Sequence, residues 1–306
     1  PICNGACDGQ ATATGSGGTA AGAYSFAWDD PSAQTTAVAT GLCAGTFNVT
    51  ITDDNGCTAT SSVTITEPSA ITVTTDSTEV SCNGGNDGTA TVTASGGTVA
   101  TDYTYLWEAA AANQTTATAT GLAAGSYCAT ITDDNGCVAV ACATVTEPSA
   151  ISITPSQTNV SCNSGSNGTA TATPSGGVVA GNYGYQWDDS NTQSTATATG
   201  LAAGSYNVTV TDDNGCTATS SVTITEPSAI TVTTDSTEVS CFGGNDGTAT
   251  VLASGGTITT DYNYQWDANA NGQTTAIATG LAAGNYCVTV TDDNGCSEVI
   301  CETVTE

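Results

Sequence analysis

The chain consists of four copies of one repeat of about 80 residues, and this repetition constrains its fold more than any other feature. The phrase TDDNGC ends at Cys57, Cys137, Cys216 and Cys296, in steps of 80, 79 and 80 residues. The phrase TEPSAI recurs between the repeats, and its proline marks the joint after a run of strand-forming residues. We therefore predict four tandem domains, at residues 1–67, 68–147, 148–226 and 227–306. The short joints favour a rod-like chain.

Each repeat has the pattern of an antiparallel β-sandwich. Threonine and valine are abundant, turn signals such as SGGT and DDNG separate the runs, and no segment has helical periodicity. In repeat 2 the pattern predicts seven strands, at residues 71–75, 79–82, 88–94, 103–107, 115–120, 126–132 and 138–146. Repeat 1 lacks the segment that precedes Cys82 and is predicted to lack the first strand. The predicted fold class is all-β: a tandem array of four immunoglobulin-like β-sandwich domains, stapled by disulfides.

Two aromatic positions support this fold. One tryptophan per repeat falls in a central predicted strand, where it can anchor a core between two sheets: Trp28, Trp107, Trp187 and Trp266. The phrase LxAGxY puts a tyrosine at the start of the penultimate strand, the position of a tyrosine corner: Tyr127, Tyr206 and Tyr286. Phe47 takes this position in repeat 1. We expect a weaker corner there, because phenylalanine has no hydroxyl.

The 14 cysteines, with no histidine and no Cys-x-x-Cys pair, indicate disulfides formed in an oxidising compartment. Repeat 3 has only Cys162 and Cys216. If these two pair, the equivalent pairs elsewhere are Cys3–Cys57, Cys82–Cys137 and Cys241–Cys296. The remaining cysteines then pair as Cys7–Cys43, Cys128–Cys142 and Cys287–Cys301, the last two across a DDNG hairpin. In the alternative, Cys7 and Cys43 bond to a neighbouring chain.

The charge of the chain excludes several classes of function. It has no lysine, arginine or histidine and 29 acidic residues, which gives a formal charge of −29. Binding to nucleic-acid phosphates or to anionic lipids needs basic side chains, so we expect neither partner. No stretch approaches the roughly 20 apolar residues of a membrane span, and no insertion is expected. Without histidine or lysine we expect no enzymatic activity and no required cofactor.

The recurring acidic turns are a candidate site for calcium. The TDDNG phrase supplies two carboxylates, and the predicted pairing brings it near the aspartate of the CNGxxDG loop. Such oxygen clusters suit Ca²⁺. The candidate ligands are Asp53, Asp54, Asp87, Asp133, Asp134, Asp212, Asp213, Asp246, Asp292 and Asp293. The alternative, which we favour, is that these residues cap and solubilise tight turns. Asn167 replaces the loop aspartate in repeat 3 and weakens the calcium hypothesis there.

The motifs together resemble a known family. CNGGNDGTATVTASGGT, the tryptophan strand, GLAAGSY, TITDDNGC and TVTEP, between Cys82 and Pro148, are similar to the SprB-type repeat of Bacteroidota cell-surface proteins, and the likeness covers all four repeats. The resemblance implies surface display, adhesion or matrix building, without enzymatic activity. In those bacteria, Asp-Ser/Thr signals carry O-linked glycans, which makes Ser77 and Ser236 the candidate glycosylation sites.

These features predict an extracellular, secreted structural protein. The preferred hypothesis is a protomer of a protease-resistant surface filament or stalk that assembles head to tail with copies of itself, since trypsin-like proteases have no site to cut. Docking on an open edge of repeat 1 would supply what that repeat lacks. The alternative is a segment of a large adhesin that binds glycans or surface proteins. A carbohydrate-binding appendage of an enzyme is disfavoured, because the repeats are nearly identical.

Overall fold

A computed structural model of the chain describes residues 1–19 and 22–306. These residues form two compact units, Pro1–Pro148 and Ser149–Glu306, and each unit contains two repeats. Repeat 1 has five strands: β1 (Gly9–Thr12), β2 (Ser25–Trp28), β3 (Val38–Leu42), β4 (Gly45–Thr52) and β5 (Thr58–Ile65). One of its sheets has the order β1–β3 and the other the order β2–β4–β5, and all pairs are antiparallel.

Repeat 2 has six strands: β6 (Thr72–Thr78), β7 (Gly88–Ser95), β8 (Thr104–Trp107), β9 (Thr118–Leu122), β10 (Gly125–Thr132) and β11 (Val138–Val145). A short 3₁₀ helix, Ala109–Ala111, follows β8. The sheets have the orders β6–β7–β9 and β8–β10–β11. The extra strand β6 extends the first sheet beyond β7, where repeat 1 has two strands only.

The second unit repeats this arrangement twice. Repeat 3 contains β12 (Ser152–Thr158), β13 (Gly168–Ser175), β14 (Gly184–Trp187), β15 (Thr197–Leu201), β16 (Gly204–Thr211) and β17 (Thr217–Ile224). Repeat 4 contains β18 (Thr231–Thr237), β19 (Gly247–Ser254), β20 (Asn263–Trp266), β21 (Ile277–Leu281), β22 (Gly284–Thr291) and β23 (Ser297–Val304), with a 3₁₀ helix at Ala268–Ala270. The sheet orders match those of repeat 2.

The predicted all-β, immunoglobulin-like architecture is confirmed, with one strand fewer per repeat. The predicted strand at residues 79–82 is wrong, because Glu79 and Val80 continue the chain without strand pairing. Val80 is buried, and its N–H donates to the Thr146 carbonyl oxygen at 2.9 Å. The valine is there because the connection buries one side chain, and this single apolar residue makes the short connection resemble a strand in the sequence.

Both sheets of repeat 2 contribute to a core around Trp107. Alternate residues of β7, β9, β10 and β11 are buried, as expected for strands with one face inward. The Trp107 Nε1–H donates to the Thr116 carbonyl oxygen at 2.8 Å, which satisfies its polar atom. The other three tryptophans are also buried, and each makes the equivalent bond. The predicted tryptophan anchor is confirmed.

The tyrosine corner is present in three repeats. Tyr127 Oη donates to the Ala123 carbonyl oxygen at 3.0 Å, and Tyr206 and Tyr286 make the same bond to Ala202 and Ala282 at 3.1 and 2.9 Å. The bond ties the loop before the penultimate strand to the strand itself. Phe47 cannot donate it.

Repeat 1 has a smaller core than the other repeats. Ile51 and Ile65 are only partly buried, whereas the equivalent Ile131 and Val145 of repeat 2 are 0% and 2% exposed. The difference arises because β6 packs beside β11 in repeat 2, and no strand in the described part of repeat 1 takes that place. The last strand of repeat 1 is consequently exposed along most of its length.

The disulfides connect neighbouring repeats as well as neighbouring strands. Cys128–Cys142 and Cys287–Cys301 join directly opposed residues of a hairpin, and Cys7–Cys43 closes within repeat 1; these agree with the prediction. The bond at Cys7 and Cys43 excludes the alternative of a link from these two residues to another chain. Closing a 14-residue loop stabilises the fold by about 3 kcal/mol.

The other predicted pairs are wrong. Cys3 bonds to Cys137, not to Cys57, and Cys162 bonds to Cys296, not to Cys216, each with a sequence separation of 134 residues. These bonds also exclude Cys82–Cys137 and Cys241–Cys296. The physical reason is that the CNG loop lies at one end of a sandwich and the DDNGC turn at the other, so within each unit the loop of the first repeat meets the turn of the second. Cys82 and Cys216 are also disulfide-bonded, whereas Cys57 and Cys241 are free and exposed.

Candidate assembly surface

Repeat 1 has an open cavity of about 300 Å³ beside the free Cys57. Its lining comes from the loop after β1, from Tyr24 before β2, and from the hairpin that joins β4 to β5. The lining includes Gly17, Ile51 and Asp53. We call this cavity the Cys57 slot.

The equivalent surface is covered in the other repeats by the segment before their first strand. In repeat 2 the Gly97 N–H donates to the Ser69 carbonyl oxygen at 2.9 Å, and a Cβ at Gly97 would lie 2.9 Å from Ile71 Cγ1. Repeats 3 and 4 have the same bond, from Gly177 to Ser149 at 2.8 Å and from Gly256 to Ser228 at 2.9 Å. At Gly96 of repeat 2 an added Cβ would overlap the carbonyl oxygen of Ala70, whereas at the equivalent Gly17 of repeat 1 it would meet no atom within 4 Å.

The edge of the sheet next to the slot is also open. In repeat 2, β7 pairs on one edge with β6 and on the other with β9. In repeat 1, β1 pairs with β3, and within residues 1–19 and 22–306 no strand pairs with its other edge. An unpaired edge presents free N–H and carbonyl groups that can accept another strand. Repeat 1 therefore offers an open edge and an open cavity together.

Repeat 4 differs from the others in its CNG loop. Asn4, Asn83 and Asn163 each donate from Nδ2 to the carbonyl oxygen of the joint proline at 3.1 Å. Phe242 occupies this position in repeat 4, cannot make that bond, and is 95% exposed. It directly follows the free Cys241. The surface of repeat 4 thus carries a thiol and an aromatic ring side by side.

The first aspartate of each DDNG turn caps that turn. Asp133 Oδ1 accepts the N–H groups of Asn135 and Cys137 at 3.0 and 2.8 Å, and Oδ2 accepts that of Thr98 at 2.9 Å. Asp53, Asp212 and Asp292 accept the equivalent bonds. The hydrogen bond from the Thr98 N–H is the largest cause that holds the pKa of Asp133 below its usual value.

The second aspartate of the turn holds the loop between the sheets. Asp134 accepts the N–H groups of Ala100 and Thr101, and these bonds lower its pKa. Asp54 accepts from Gly22, Asp213 accepts from Ala180 and Gly181, and Asp293 accepts from Thr259 and Thr260. Each DDNG turn thus uses its two carboxylates to order two different stretches of backbone.

The loop aspartates have a similar role. Asp87 accepts the Ser81 N–H at 2.9 Å and Asp246 accepts the Ser240 N–H at 3.1 Å. Asn167 Oδ1 accepts the equivalent Ser161 N–H at 3.0 Å, so an uncharged oxygen takes the same position in repeat 3. No group of three or more His, Cys, Asp or Glu side chains that could hold a metal ion occurs in the described residues. The calcium hypothesis assumes that a disulfide within one repeat brings its turn aspartates beside its loop aspartate. Cys137 bonds instead to Cys3 of the preceding repeat. Calcium binding stays a prediction.

The two candidate glycosylation sites lie on strands at one sheet edge. Ser77 Oγ donates to the Thr144 carbonyl oxygen at 2.8 Å, and Ser236 Oγ donates to Glu302 Oε1 at 3.0 Å and to the Thr303 carbonyl oxygen at 3.2 Å. A glycan on either hydroxyl would replace these bonds. Glycosylation stays a prediction as well.

The comparison with protein families identifies the repeats. The SprB repeat model matches residues 1–33, 74–112, 154–192 and 233–271, once in each repeat. The chain carries four SprB repeats. A comparison with curated protein sequences gives no match. Together with the disulfides, the SprB repeats indicate an extracellular or cell-surface repeat protein of the adhesin type.

Several solved structures align with much of the chain, at low identity and low TM-score. Three N-terminal domains of the Highly Immunogenic Outer Capsid protein of bacteriophage RB49 align at 16% identity and a TM-score of 0.39, over 77% of this chain and 97% of that one. A tetra-tandem repeat from the extending region of a large adhesion protein aligns at 16% identity and 0.29, over 98% and 92%. The N-terminal eight Ig domains of DSCAM align at 10% identity and 0.25, over 99% and 58%.

Two features of the assembly surface escape the sequence analysis. Cys57 and Cys241 are free thiols, although the sequence predicts a disulfide for each of them. Phe242 is visible in the sequence as CFGG in place of CNGG or CNSG, yet its exposure requires the structure. In the described residues no helix is long and apolar enough to cross a membrane.

Proposed function

We propose that the chain is a secreted structural protomer of an extracellular filament or stalk, in which copies assemble head to tail. The supporting observation is the asymmetry between repeat 1, which has an open edge at β1 and the Cys57 slot, and repeats 2 to 4, in which the same surfaces are covered. An open edge next to a cavity is a surface that another chain can complete.

The composition suits this role. Without lysine or arginine, the chain offers trypsin-like proteases no cleavage site. Without histidine or lysine it also lacks the usual side chains of acid–base catalysis, so the proposal gives it no enzymatic activity. The loops are held by capping carboxylates, and the hairpins of repeats 2 and 4 carry cross-strand disulfides. These features suit a durable structural element outside the cell.

The test is assembly of the purified 306-residue chain, followed by electron microscopy and light scattering. A synthetic peptide with the sequence of residues 67–78, which covers the equivalent surface in repeat 2, should compete for repeat 1 and shorten the assemblies. A scrambled peptide of the same composition is the control. A chain that stays monomeric at high concentration and ignores the peptide would contradict the proposal.

An exposed apolar patch on repeat 2 supports a second candidate function, adhesion to a surface protein. Leu106 and Val140 flank Thr130 in register on the outer face of repeat 2, and they are 53% and 65% exposed. Repeat 3 has Gln186 and Thr219 at these positions. Exposed apolar surface favours contact with a protein partner. Loss of cell-surface binding in a Leu106→Gln, Val140→Thr variant, with assembly unchanged, would favour this function.

A further inference from the structure

The two free cysteines are the ones that would complete the pattern of bonds between repeats. In the first unit the CNG loop of one repeat bonds to the DDNGC turn of the next through Cys3 and Cys137, and in the second unit Cys162 and Cys296 do the same. Cys241 is the CNG cysteine of repeat 4, and Cys57 is the DDNGC cysteine of repeat 1. One free cysteine is thus a CNG cysteine and the other a DDNGC cysteine, the same two types that the disulfides between repeats join.

The hydrogen bonds beside the existing disulfides show how such a junction is held. Asn135 Nδ2 donates to the Ile2 carbonyl oxygen at 3.1 Å, next to Cys3–Cys137, and Asn294 Nδ2 donates to the Ser161 carbonyl oxygen at 3.0 Å, next to Cys162–Cys296. Asn55 and Ser240 occupy the equivalent positions beside Cys57 and Cys241. The two exposed cysteines are thus flanked by the same donor and acceptor types as the bonded ones.

The surfaces beside the two thiols are also complementary. At the junction within the first unit, Asn4 and Cys3 line a cavity with Asp133 and Cys137, so the residue after the CNG cysteine reaches this cavity. Asn163 does the same at the junction within the second unit. In repeat 4 that residue is the exposed Phe242, and beside Cys57 the cavity is open, with a volume of about 300 Å³. An aromatic ring can occupy the space that a joint segment fills elsewhere.

We propose that Cys241 of one copy forms a disulfide with Cys57 of the next copy, with Phe242 of the first copy seated in the Cys57 slot of the second. The inference rests on the proposed head-to-tail assembly and gives it a covalent chemistry. Two thiols lose two protons and two electrons to form the S–S bond. The electrons reduce a donor disulfide to two thiols; the donor is a thiol–disulfide oxidoreductase outside the cytoplasm, or oxidised glutathione in the test tube.

The experiment oxidises the purified full chain in a glutathione redox buffer and analyses it by non-reducing electrophoresis. We expect a ladder at multiples of 29.9 kDa that collapses to one band on reduction. Cys57→Ser and Cys241→Ser should each remain monomeric alone. A mixture of the two variants should give dimers and nothing larger, because each contributes one reactive end.

Mass spectrometry identifies the bond. Copies labelled with ¹⁴N and ¹⁵N are mixed, oxidised and digested with a protease that cleaves at acidic residues, since the chain has no tryptic site. A Cys57–Cys241 peptide with one light and one heavy half supports the proposal. Only monomer, only links between identical cysteines, or only same-label pairs would overturn it. Filaments of the unsubstituted chain that contain no covalent links after oxidation would overturn the disulfide and leave the proposed function standing.

Phe242→Asn restores the residue of the other repeats and tests the seating of the ring. Loss of one buried phenylalanine should slow ladder formation about tenfold or more at equal concentration. Leu252→Thr is the matched control, because Leu252 is also exposed in repeat 4 and the equivalent residue is Thr93 in repeat 2. Equal rates for the two variants would remove Phe242 from the junction.

Discussion

Alanine at two equivalent glycines distinguishes a covered surface from an open one. Gly96 in repeat 2 and Gly17 in repeat 1 have φ values of 85° and 82°, so alanine at either costs about 1–2 kcal/mol for the left-handed backbone. At Gly96 the added Cβ would also overlap the carbonyl oxygen of Ala70, whereas at Gly17 it would meet no atom within 4 Å. Relief at Gly96 requires the segment over it to move away.

The additional cost at Gly96 follows from what that movement breaks. The bond from the Gly97 N–H to the Ser69 carbonyl oxygen contributes about 1 kcal/mol. Exposure of part of the half-buried Ile71 side chain adds about 1 kcal/mol. The total of about 2 kcal/mol corresponds to a roughly thirtyfold loss of hydrogen-exchange protection in the segment that covers Gly96.

The assay is hydrogen exchange with mass spectrometry on the full chain, with Cys57→Ser and Cys241→Ser present to keep it monomeric. Gly96→Ala should deprotect the peptide around Ser69, and Gly17→Ala should leave exchange in repeat 2 unchanged. Equal effects of the two substitutions on their own repeats would refute the reasoning, because the slot in repeat 1 would then be as closed as its counterpart.

Three further predictions concern the corner, the turns and the ions. Tyr127→Phe removes the hydrogen bond from the hydroxyl to the Ala123 carbonyl oxygen and should lower the free energy of unfolding of repeat 2 by about 1 kcal/mol in chemical denaturation. Phe47→Tyr should stabilise repeat 1. No change in either variant would count against the tyrosine corner. The pKa of Asp133 is lower in the folded state, so its contribution to stability is present above the unfolded pKa of the carboxyl and is lost as the pH falls through the folded pKa. Asp133→Asn should therefore reduce the fall of the melting temperature on the acid side of a profile of melting temperature against pH. Because backbone N–H groups already occupy the turn carboxylates, we expect a calcium chelator to leave the melting temperature unchanged; a fall of several degrees would establish the calcium site.

The sequence predicts most of the fold because the repeats carry local signals with a direct physical meaning. Tryptophan in a central strand, tyrosine two residues after the AG pair and Asp-Asp-Asn-Gly at the hairpin each specify a contact that lies within one repeat. The weaker signals fail where one residue imitates a longer element. Val80 is a single buried side chain in a connection, yet its segment is predicted as a strand. Hydrophobic alternation over four residues cannot distinguish a strand from a connection with one buried residue.

The disulfide pairing fails for a different reason, which also gives a sharp test. The cysteines repeat with a period of about 80 residues, so their spacing fits bonds within a repeat and bonds to the next repeat equally well. The two pairings differ only in the outermost repeats. Pairing within each repeat uses every cysteine, whereas pairing to the next repeat leaves one thiol in the first repeat and one in the last. Thiol titration of the denatured, unreduced monomer should therefore find two thiols per chain at Cys57 and Cys241, and the oxidised assembly should lose them as copies join. A monomer of single-chain mass with no free thiol would show that the bonds close within each repeat and that the junction between copies is not covalent.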